Sequence, residues 1–411
     1  MLTKCSVHTN EMAERTEGYG VALAELMNPD VARNPQPIYS MLQEGSPVLR
    51  LDGVGVIVSS RAGVDEVLRN PEVFSSSMSA HDLKTKRPLI PLQIDPPDHR
   101  TYRKILDPLF APQRMKLLEE SARRLVNDLI DGFVDETEID FVAQFSTPFP
   151  SQMFLTLFGL PLEDLPRFLT MKDGVIRPDS VVGHEFGHAD TEAYQQQTAD
   201  SIYSYFEEVI DARSPSEPRV DLLNHLLTTD VDGDRLTREE ILDVCFLFLI
   251  AGLDTVAASL DCLFAYLAQH PEARHTIVRD PDAIPAMVEE LLRWETPVMG
   301  AARVATRDVE IDGFAVSEGE QVMVLLGAAN VDSAEFANAG ELDWDREANR
   351  HLAFGGGIHR CLGSHLARME LRVALQEWHR RIPEYTVKPG AELTYTAGIR
   401  TLSEFPMLLS G

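Results

Sequence analysis

The pattern of hydrophobic and polar positions predicts a mainly α-helical chain. Residues 237–240 have the spacing of an N-terminal capping box, and an apolar run continues over residues 241–267. A helix of this length spans about 40 Å, enough to cross a large domain. A second apolar helix is predicted over residues 284–294, with Pro297 just beyond its end.

Short strand-like segments predict a small β region beside these helices. Residues 47–58 contain an Asp-Gly turn and predict a hairpin, and further strands are predicted at 309–311 and 322–325. Residues 75–98 are rich in Ser and Pro and predict an irregular loop. Because no low-complexity linker or internal repeat divides the chain, we expect residues 1–411 to form a single domain.

Composition narrows the classes of partner. Hydrophobic residues make up 44% and charged residues 25%, which is typical of a soluble globular protein. The 37 Lys and Arg against 65 Asp and Glu give a net charge of −28, which argues against a nucleic-acid or anionic-membrane partner.

The N-terminus lacks a signal-peptide apolar region, and the most apolar run, residues 244–253, indicates a segment too short to span a bilayer. The four cysteines are scattered without a Cys-x-x-Cys pair, so we expect a reduced, cytoplasmic protein.

One cysteine stands in a chemically distinctive position. Cys361 follows the glycine-rich residues 354–360 and opens a helix-prone segment. A helix N-terminus stabilises negative charge, which favours a thiolate, and the glycines at 355, 356, 357 and 363 allow left-handed backbone angles and close approach to a flat partner. Such a thiolate suits axial ligation of haem iron. A small apolar cysteine beside an ordinary turn is the alternative.

The combined pattern Phe-x-x-Gly-x-x-x-Cys-x-Gly, from Phe354 to Gly363, resembles the haem-ligand loop of the cytochrome P-450 family of haem-thiolate monooxygenases. The resemblance covers about residues 95–398 and is to the soluble bacterial type. It implies the family's triangular-prism fold, mainly α with a small β region. It also implies haem b, iron protoporphyrin IX, as the cofactor, with Cys361 as the axial ligand of the iron.

A second motif lies inside the long predicted helix. Residues 251–255, Ala-Gly-Leu-Asp-Thr, place a Gly and an Asp in an apolar helix, where both are unfavourable. A solvent-facing Asp254 and a Thr255 bonded to the preceding turn are the alternative. The motif resembles the family's oxygen-activation sequence, which implies that Gly252 opens the helix beside the haem, Thr255 supports dioxygen and Asp254 supplies protons.

Two further sets of charged residues match the family pattern. Glu290 and Arg293 lie at i and i+3 on one helix and match its Glu-x-x-Arg signature, with Arg346 as the third member. The resemblance implies a structural triad that locks the segment before Cys361. It also implies that the haem carboxylates are held by four basic residues, His99, Arg103, Arg303 and His359.

The sequence gives the least information about the substrate pocket. By position in the family pattern, the lining candidates are Leu89, Ile90, Leu92, Leu247, Ala251, Val298, Met299 and Ile399. Ordinary core packing is the alternative for each of them. Their aliphatic character implies a lipophilic substrate, such as a terpenoid, steroid, fatty acid or small aromatic molecule.

By resemblance, the reaction inserts one oxygen atom of dioxygen into a C–H bond. No dinucleotide fingerprint or flavin domain is present in the sequence, so a ferredoxin and a ferredoxin reductase are the expected electron donors. Arg100, Lys104 and Arg360 are candidates for docking this donor. A haem peroxygenase and a non-catalytic haem sensor are alternatives, but neither needs the Asp254-Thr255 pair.

A competing motif points to a zinc hydrolase. His184, Glu185 and His188 fit His-Glu-x-x-His, in which two imidazoles bind one metal ion and the Glu acts as a base. Gly183 and Gly187 weaken the helix that this motif requires. The sequence therefore favours a polar loop or helix end between two helices.

Overall fold

The computed structural model describes residues 32–77, 83–185, 187–213, 219–231, 233–396 and 398–409. The chain divides into two compact units. The unit that we call the sheet unit comprises the residues up to Ser75, Pro285–Arg360 and Pro389–Phe405. The helical unit comprises Ser76–Ile284, Cys361–Lys388 and the residues from Pro406 onward.

The described secondary structure is mainly helical, as the sequence predicts. In chain order the α-helices are α1 Gln36–Gly45, α2 Arg61–Arg69, α3 Asp98–Leu106, α4 Pro112–Asp131, α5 Pro148–Phe158, α6 Leu165–Ile176, α7 Pro178–Val182, α8 Ala189–Ala212, α9 Leu222–Thr228, α10 Arg238–Gln269, α11 Pro271–Arg279, α12 Ile284–Glu295, α13 Leu326–Asn330 and α14 Ser364–Arg381. The strands are β1 Val48–Leu51, β2 Gly55–Val58, β3 Phe74–Ser75, β4 Glu138–Asp140, β5 Gly300–Ala305, β6 Val309–Ile311, β7 Phe314–Val316, β8 Gln321–Leu325, β9 Tyr385–Val387 and β10 Pro406–Leu409.

The sheet unit is built on a five-stranded sheet in the order β1-β2-β8-β5-β3. The predicted hairpin is confirmed, since β1 and β2 pair antiparallel with Val48 opposite Val58. Strand β2 then pairs parallel with β8, which pairs antiparallel with β5. Gly55 permits the first of these contacts, because a Cβ there would lie 2.3 Å from the carbonyl oxygen of Gln321. Strands β6 and β7 form a separate two-stranded ribbon.

Helix α10 is the central element of the helical unit. The predicted capping box is confirmed: the Thr237 hydroxyl accepts from the Glu240 amide at 3.2 Å, and the Glu240 carboxylate accepts from the Thr237 amide at 2.7 Å. The helix is buried along most of its length against α5, α6 and α8. A small three-stranded sheet, β4-β10-β9, belongs to the same unit.

The predicted length of α10 is confirmed, but the extent of its apolar segment corrects one prediction. Its 32 residues are apolar enough to cross a membrane by length and composition, so the apolar segment is not too short. The helix continues well beyond residues 244–253 because small and aliphatic residues extend the apolar surface on both sides. Its most apolar window is 78% buried inside the protein, which is the environment of a core helix.

Candidate active site

The thiol of Cys361 is accessible in the helical unit. Cys361 is exposed and lies three residues before the first residue of α14. The neighbouring Leu362 and Leu366 are partly buried against a hydrophobic cluster that includes Leu247 and Leu253 of α10. The predicted helix after Cys361 is therefore confirmed, and its beginning packs against a hydrophobic cluster that includes residues of α10.

The glycine turn before this cysteine belongs to the sheet unit. Gly355 and Gly357 have positive φ angles of 66° and 63°, and a Cβ on Gly357 would come within 1.9 Å of the carbonyl oxygen of Leu68. The prediction of left-handed angles is wrong for Gly356 and Gly363, whose φ angles are −148° and −79°. Gly356 instead admits close packing, since a Cβ there would lie 3.3 Å from the Leu68 side chain.

The middle of α10 carries an accessible stripe of small residues. Ala251 is exposed and Gly252 and Thr255 are half-buried, although most of the helix is buried. The Thr255 hydroxyl donates to the carbonyl of Ala251 at 2.9 Å, the geometry of the alternative interpretation. The helix stays regular through Gly252, so the expectation that this glycine opens it is wrong. Gly252 instead allows Phe154 to approach, because a Cβ there would lie 3.3 Å from the ring.

Asp254 points away from solvent. Its side chain is 2% exposed and accepts from Arg177 Nη2 at 2.6 Å and from Lys172 Nζ at 3.3 Å. Burial lowers the pKa of Arg177, but the carboxylates of Asp254 and Asp173 outweigh burial and raise it overall. The alternative of a solvent-facing Asp254 is therefore wrong. Sequence reasoning missed Lys172 and Arg177. The sequence feature that could have revealed these partners of Asp254 is a pair of cations five residues apart in a largely apolar segment.

The structure brings Glu290, Arg293 and Arg346 together in the sheet unit. The Glu290 carboxylate accepts from Arg293 at 2.7 and 2.9 Å, from Arg346 at 3.0 Å, from the side chain of Asn349 at 3.0 Å and from the amide of Asp343 at 2.9 Å. Burial raises the pKa of Glu290, but the hydrogen bonds from the two arginines outweigh burial and hold it below its ordinary value.

This cluster also orders the chain that leads to the glycine turn. Arg293 donates to the carbonyls of Asn330, Ala339 and Glu341 at 2.8, 3.1 and 2.8 Å. The side chain of Asn330 in turn accepts from the amide of Leu352 at 2.6 Å. Residues 330–352 are thus tied to the fully buried Arg293, whose charge is balanced by Glu290.

The four predicted basic residues are divided between the units. His99 and Arg103 lie one turn apart on α3 in the helical unit, and Arg103 pairs with Asp107 at 2.6 Å. Burial lowers the pKa of His99, and the nearby Arg103 adds to this effect. In the sheet unit, Arg303 is buried on β5 and His359 is half-buried in the 3₁₀ turn Gly357–His359.

The apolar pocket candidates differ in exposure. In the helical unit, Leu89 and Ile90 are buried in the main hydrophobic cluster, whereas Leu92 is 47% exposed. Leu247 is buried as well. In the sheet unit, the structure brings together Val298, Met299 and Ile399: Val298 forms a β-bridge with Ile399, and the amide of Met299 donates to the carbonyl of Gly398 at 3.2 Å.

The competing zinc motif does not form a helix. His184, Glu185 and His188 lie exposed in the connection between α7 and α8, where Gly183 and Gly187 have φ angles of 79° and 86°. His188 is the N-cap residue of α8. The predicted polar loop is confirmed, and the arrangement of a zinc protease, with both imidazoles on one helical face, is not formed by these residues.

The residues of the helical unit fit a haem group. An exposed thiol before α14, a stripe of small residues on α10 and the basic pair on α3 offer an iron ligand, an apolar surface and partners for carboxylates. Small side chains at Ala251 and Gly252 leave a helix surface that a flat ring system can approach.

Comparisons with known proteins agree with this chemistry. The family model for cytochrome P450 matches residues 52–381. The chain is 36% identical over 351 residues to a probable cytochrome P450 127A1 of Sinorhizobium fredii, covering 84% of this chain and 81% of that one. It is 32% identical to a steroid C26-monooxygenase of Mycobacterium tuberculosis, covering 94% and 97% respectively.

Solved structures show the same fold. The structure of CYP109E1 from Bacillus megaterium in complex with testosterone has a TM-score of 0.84 at 27% identity and covers 93% of this chain and 100% of that one. Cytochrome P450 CYP109Q5 from Chondromyces apiculatus has a TM-score of 0.84 at 29% identity, with coverage of 94% and 97%. The expectation of a mainly α fold of this family, with a small β region, is confirmed.

Proposed function

We propose that this chain, which belongs to the cytochrome P450 family and is a monooxygenase, hydroxylates a lipophilic small molecule in the cytoplasm. Its electron donors are a ferredoxin and a ferredoxin reductase, its cofactor is haem b, and residues 1–411 act as a single domain. The observation that carries the proposal is the exposed Cys361 thiol at the start of α14, in the same unit as the small-residue stripe of α10.

The proposed cofactor site consists of the residues that the family resemblance assigns to the haem. Cys361 would ligate the iron, and His99, Arg103, Arg303 and His359 would bind the haem carboxylates. When bound, haem with a thiolate ligand activates dioxygen by favouring O–O cleavage. The Glu290 cluster would hold the chain before Cys361 in one conformation, because it ties residues 330–352 to a buried arginine.

Two residues of α10 would handle protons. The Thr255 hydroxyl is half-exposed and can accept a hydrogen bond while it donates to Ala251. Asp254 is held inward by Arg177 and Lys172, and release of at least one of these contacts would let its carboxylate turn outward and relay a proton. This arrangement favours proton delivery that is gated by motion of the two cations.

A lipophilic substrate is supported by the pocket candidates and by the relatives. The candidates are aliphatic or small, and such side chains bind ligands mainly by apolar contact. Relatives at 32% and 31% identity are named mycinamicin IV hydroxylase/epoxidase and vitamin D(3) 25-hydroxylase. We therefore propose that this chain takes a lipophilic substrate such as a steroid, a terpenoid, a fatty acid or a small aromatic molecule.

The absorption spectrum of the reduced, carbon-monoxide-bound protein tests the cofactor. We expect the Soret shift of a haem-thiolate protein, and we expect Cys361→Ser to lose it. Cys245→Ser is the matched control, because Cys245 is fully buried in α10 and should leave the shift unchanged. A wild-type protein that binds haem without the thiolate shift would refute the proposal.

Electron transfer tests the donor. Arg100 and Lys104 are exposed on one face of α3, so Arg100→Glu with Lys104→Glu should slow reduction by a ferredoxin about tenfold or more at low salt. Arg124→Glu, an exposed charge reversal on α4, serves as the control. Equal rates for both variants would exclude this docking site.

Full turnover with hydrogen peroxide, and none with a ferredoxin, would instead support a peroxygenase.

A further inference from the structure

The turn between α7 and α8 places two histidine side chains in contact. Gly183 and Gly187 adopt left-handed angles, and the connection folds the imidazole of His188 back onto that of His184. The two rings stack with their centroids 4.2 Å apart and their planes 17° from parallel. The histidines therefore meet through the turn, even though the helix expected for a His-Glu-x-x-His site is not formed.

Asp190, in the first turn of α8, supplies a third metal-ligating group. One of its carboxylate oxygens lies 3.8 Å from Nε2 of His184 and 3.8 Å from Nδ1 of His188. The potential ligand atoms of the three side chains all lie within 4.8 Å of one another. Two ligand atoms that each bind a tetrahedral zinc ion at about 2.1 Å lie about 3.4 Å apart. The two contacts to Asp190 therefore need to close by about 0.4 Å each. The two rings are stacked in nearly parallel planes, so at least one imidazole must also rotate to point its nitrogen at the shared ion.

The backbone around these side chains is already ordered. The hydroxyl of the buried Thr191 donates to the carbonyl of His184 at 3.1 Å, and the amide of Glu192 donates to the carbonyl of His188 at 3.0 Å. The amide of Asp190 donates to Nδ1 of His188 at 3.2 Å, which keeps the lone pair of this nitrogen on the side that faces Asp190. A metal ion would replace that hydrogen bond.

We propose that His184, His188 and Asp190 bind one divalent transition-metal ion of the class that prefers imidazole, with Zn²⁺ as the representative. Two imidazoles and one carboxylate suit zinc, copper(II) and nickel(II), whereas magnesium and calcium prefer oxygen ligands alone. All three side chains are at least 48% exposed, so the ion has a direct path from solvent. Water completes the coordination, and Glu185 is not a ligand.

Such an ion would join the α7–α8 turn to the first turn of α8. Because His184 lies before α8 and Asp190 within it, binding would restrain the beginning of this helix. An ion that binds the native state and not the unfolded chain raises the free energy of unfolding by mass action. The site shares no residue with the proposed haem ligands, so metal binding and haem binding can be measured independently.

The experiment titrates ZnCl2 into the untagged, full-length, haem-loaded chain after treatment with a chelator, with binding measured by calorimetry. We expect one equivalent to bind and the melting temperature to rise with it. Loss of an outer-shell partner of a metal typically weakens binding about 10- to 100-fold, so His184→Ala, His188→Ala and Asp190→Asn should each weaken it at least as much.

Two variants make the assignment specific. Glu185→Gln should bind zinc like the wild type, because Glu185 is outside the cluster. His275→Ala removes a half-exposed histidine on α11 and should also bind normally. Absence of a stoichiometric site, a loss caused by Glu185→Gln, or an equal loss caused by His275→Ala would each overturn the proposal. Circular dichroism of each variant verifies that weakened binding does not come from unfolding.

Discussion

Two buried carboxylates, Glu290 in the sheet unit and Asp254 in the helical unit, are held in contrasting ways. They are 1% and 2% exposed, and both pair with two cations. Glu290 accepts five hydrogen bonds, one of them from a backbone amide, and its partner Arg293 is itself tied to three backbone carbonyls. Asp254 accepts from the ends of two long side chains, Lys172 and Arg177.

This difference in hydrogen bonding indicates a structural role for Glu290 and a role that involves side-chain motion for Asp254. Loss of Glu290 would leave Arg293, which has no exposed surface, without its counter-charge. A buried unpaired charge is strongly destabilising. Releasing Asp254 from one cation requires rotation of one long side chain and leaves the other cation in place, and Arg177 is partly exposed. A rigid cluster suits the positioning of a cofactor ligand, and a releasable one suits proton transfer.

The largest expected effect is the loss of the Glu290 cluster. Glu290→Ala should lower the free energy of unfolding by about 3–5 kcal/mol, because Arg293 and Arg346 lose their counter-charge inside the protein. Denaturant unfolding and haem content measure this. The control is Glu289→Ala on the same helix, whose carboxylate is partly exposed and pairs with His351 at 3.0 Å. Similar losses for the two variants would contradict the structural role.

The next effect is on turnover. Asp254→Asn should lower the rate of product formation about 100-fold or more, since the amide cannot deliver a proton, while stability changes less than in Glu290→Ala. Asp261→Asn is the matched control: it lies two turns further along α10, is buried and accepts from Ser146. If Asp261→Asn slowed turnover as much as Asp254→Asn, the role of Asp254 would be general to buried carboxylates of this helix.

The buried side chain of His379 extends the comparison from charged groups to a neutral titratable group. Burial lowers the pKa of His379 to about 4, and its ring contacts the Leu375 carbonyl at 2.7 Å and the Tyr385 hydroxyl at 3.0 Å. The unfolded chain binds this proton near pH 6.5 and the folded chain only near pH 4, so stability falls as the pH drops through this window. The loss between pH 7 and pH 5 should be about 2 kcal/mol.

Urea unfolding of wild type and His379→Gln at pH 7 and pH 5 measures that loss. We expect the variant to lack about 2 kcal/mol of the pH dependence, whatever its stability at pH 7. An unchanged pH dependence in His379→Gln would mean that this ring takes up its proton at the same pH in the folded and the unfolded chain.

The smallest effects concern the cations that hold Asp254. Arg177→Gln should cost about 1.5 kcal/mol, because it loses a charged hydrogen bond of 2.6 Å to Asp254 and a weaker contact to Asp173. Lys172→Gln should cost less, about 1 kcal/mol, since its contact to Asp254 is 3.3 Å long. Denaturant unfolding measures the free energy of unfolding of both variants. If either variant lost as much stability as Glu290→Ala, the Asp254 and Glu290 clusters would not differ in the way described above.

Much of the Glu290 cluster could be predicted from the sequence, and little of the Asp254 cluster could. Glu290 and Arg293 are three residues apart on a helix, so local geometry places them together. Arg346 required the family pattern, and the backbone carbonyls that bind Arg293 follow from no sequence signal. Lys172 and Arg177 lie about eighty residues from Asp254, and their pairing depends on how α6 packs on α10.

Exposure within loops was also decided by tertiary packing. Leu89, Ile90 and Leu92 are equally apolar and close together in sequence, yet two are buried and one is exposed. The side chain of Gln93 accepts from the amide of Leu89 at 2.8 Å, which folds this part of the loop against the helical core. A loop has no regular period, so the sequence contains no rule that assigns its faces.

The sequence by itself determined the mainly helical fold, the capping box of α10, the hairpin and the position of Cys361 before a helix. These features depend on contacts between residues a few positions apart, and short-range periodicity encodes them. Only the tertiary structure decided that Asp254 turns inward to two cations, that Gly252 accommodates Phe154 without breaking α10, and that His184 and His188 meet Asp190 through a turn. Those outcomes depend on packing between distant segments or on the path of an irregular turn, which residue spacing along the chain does not specify.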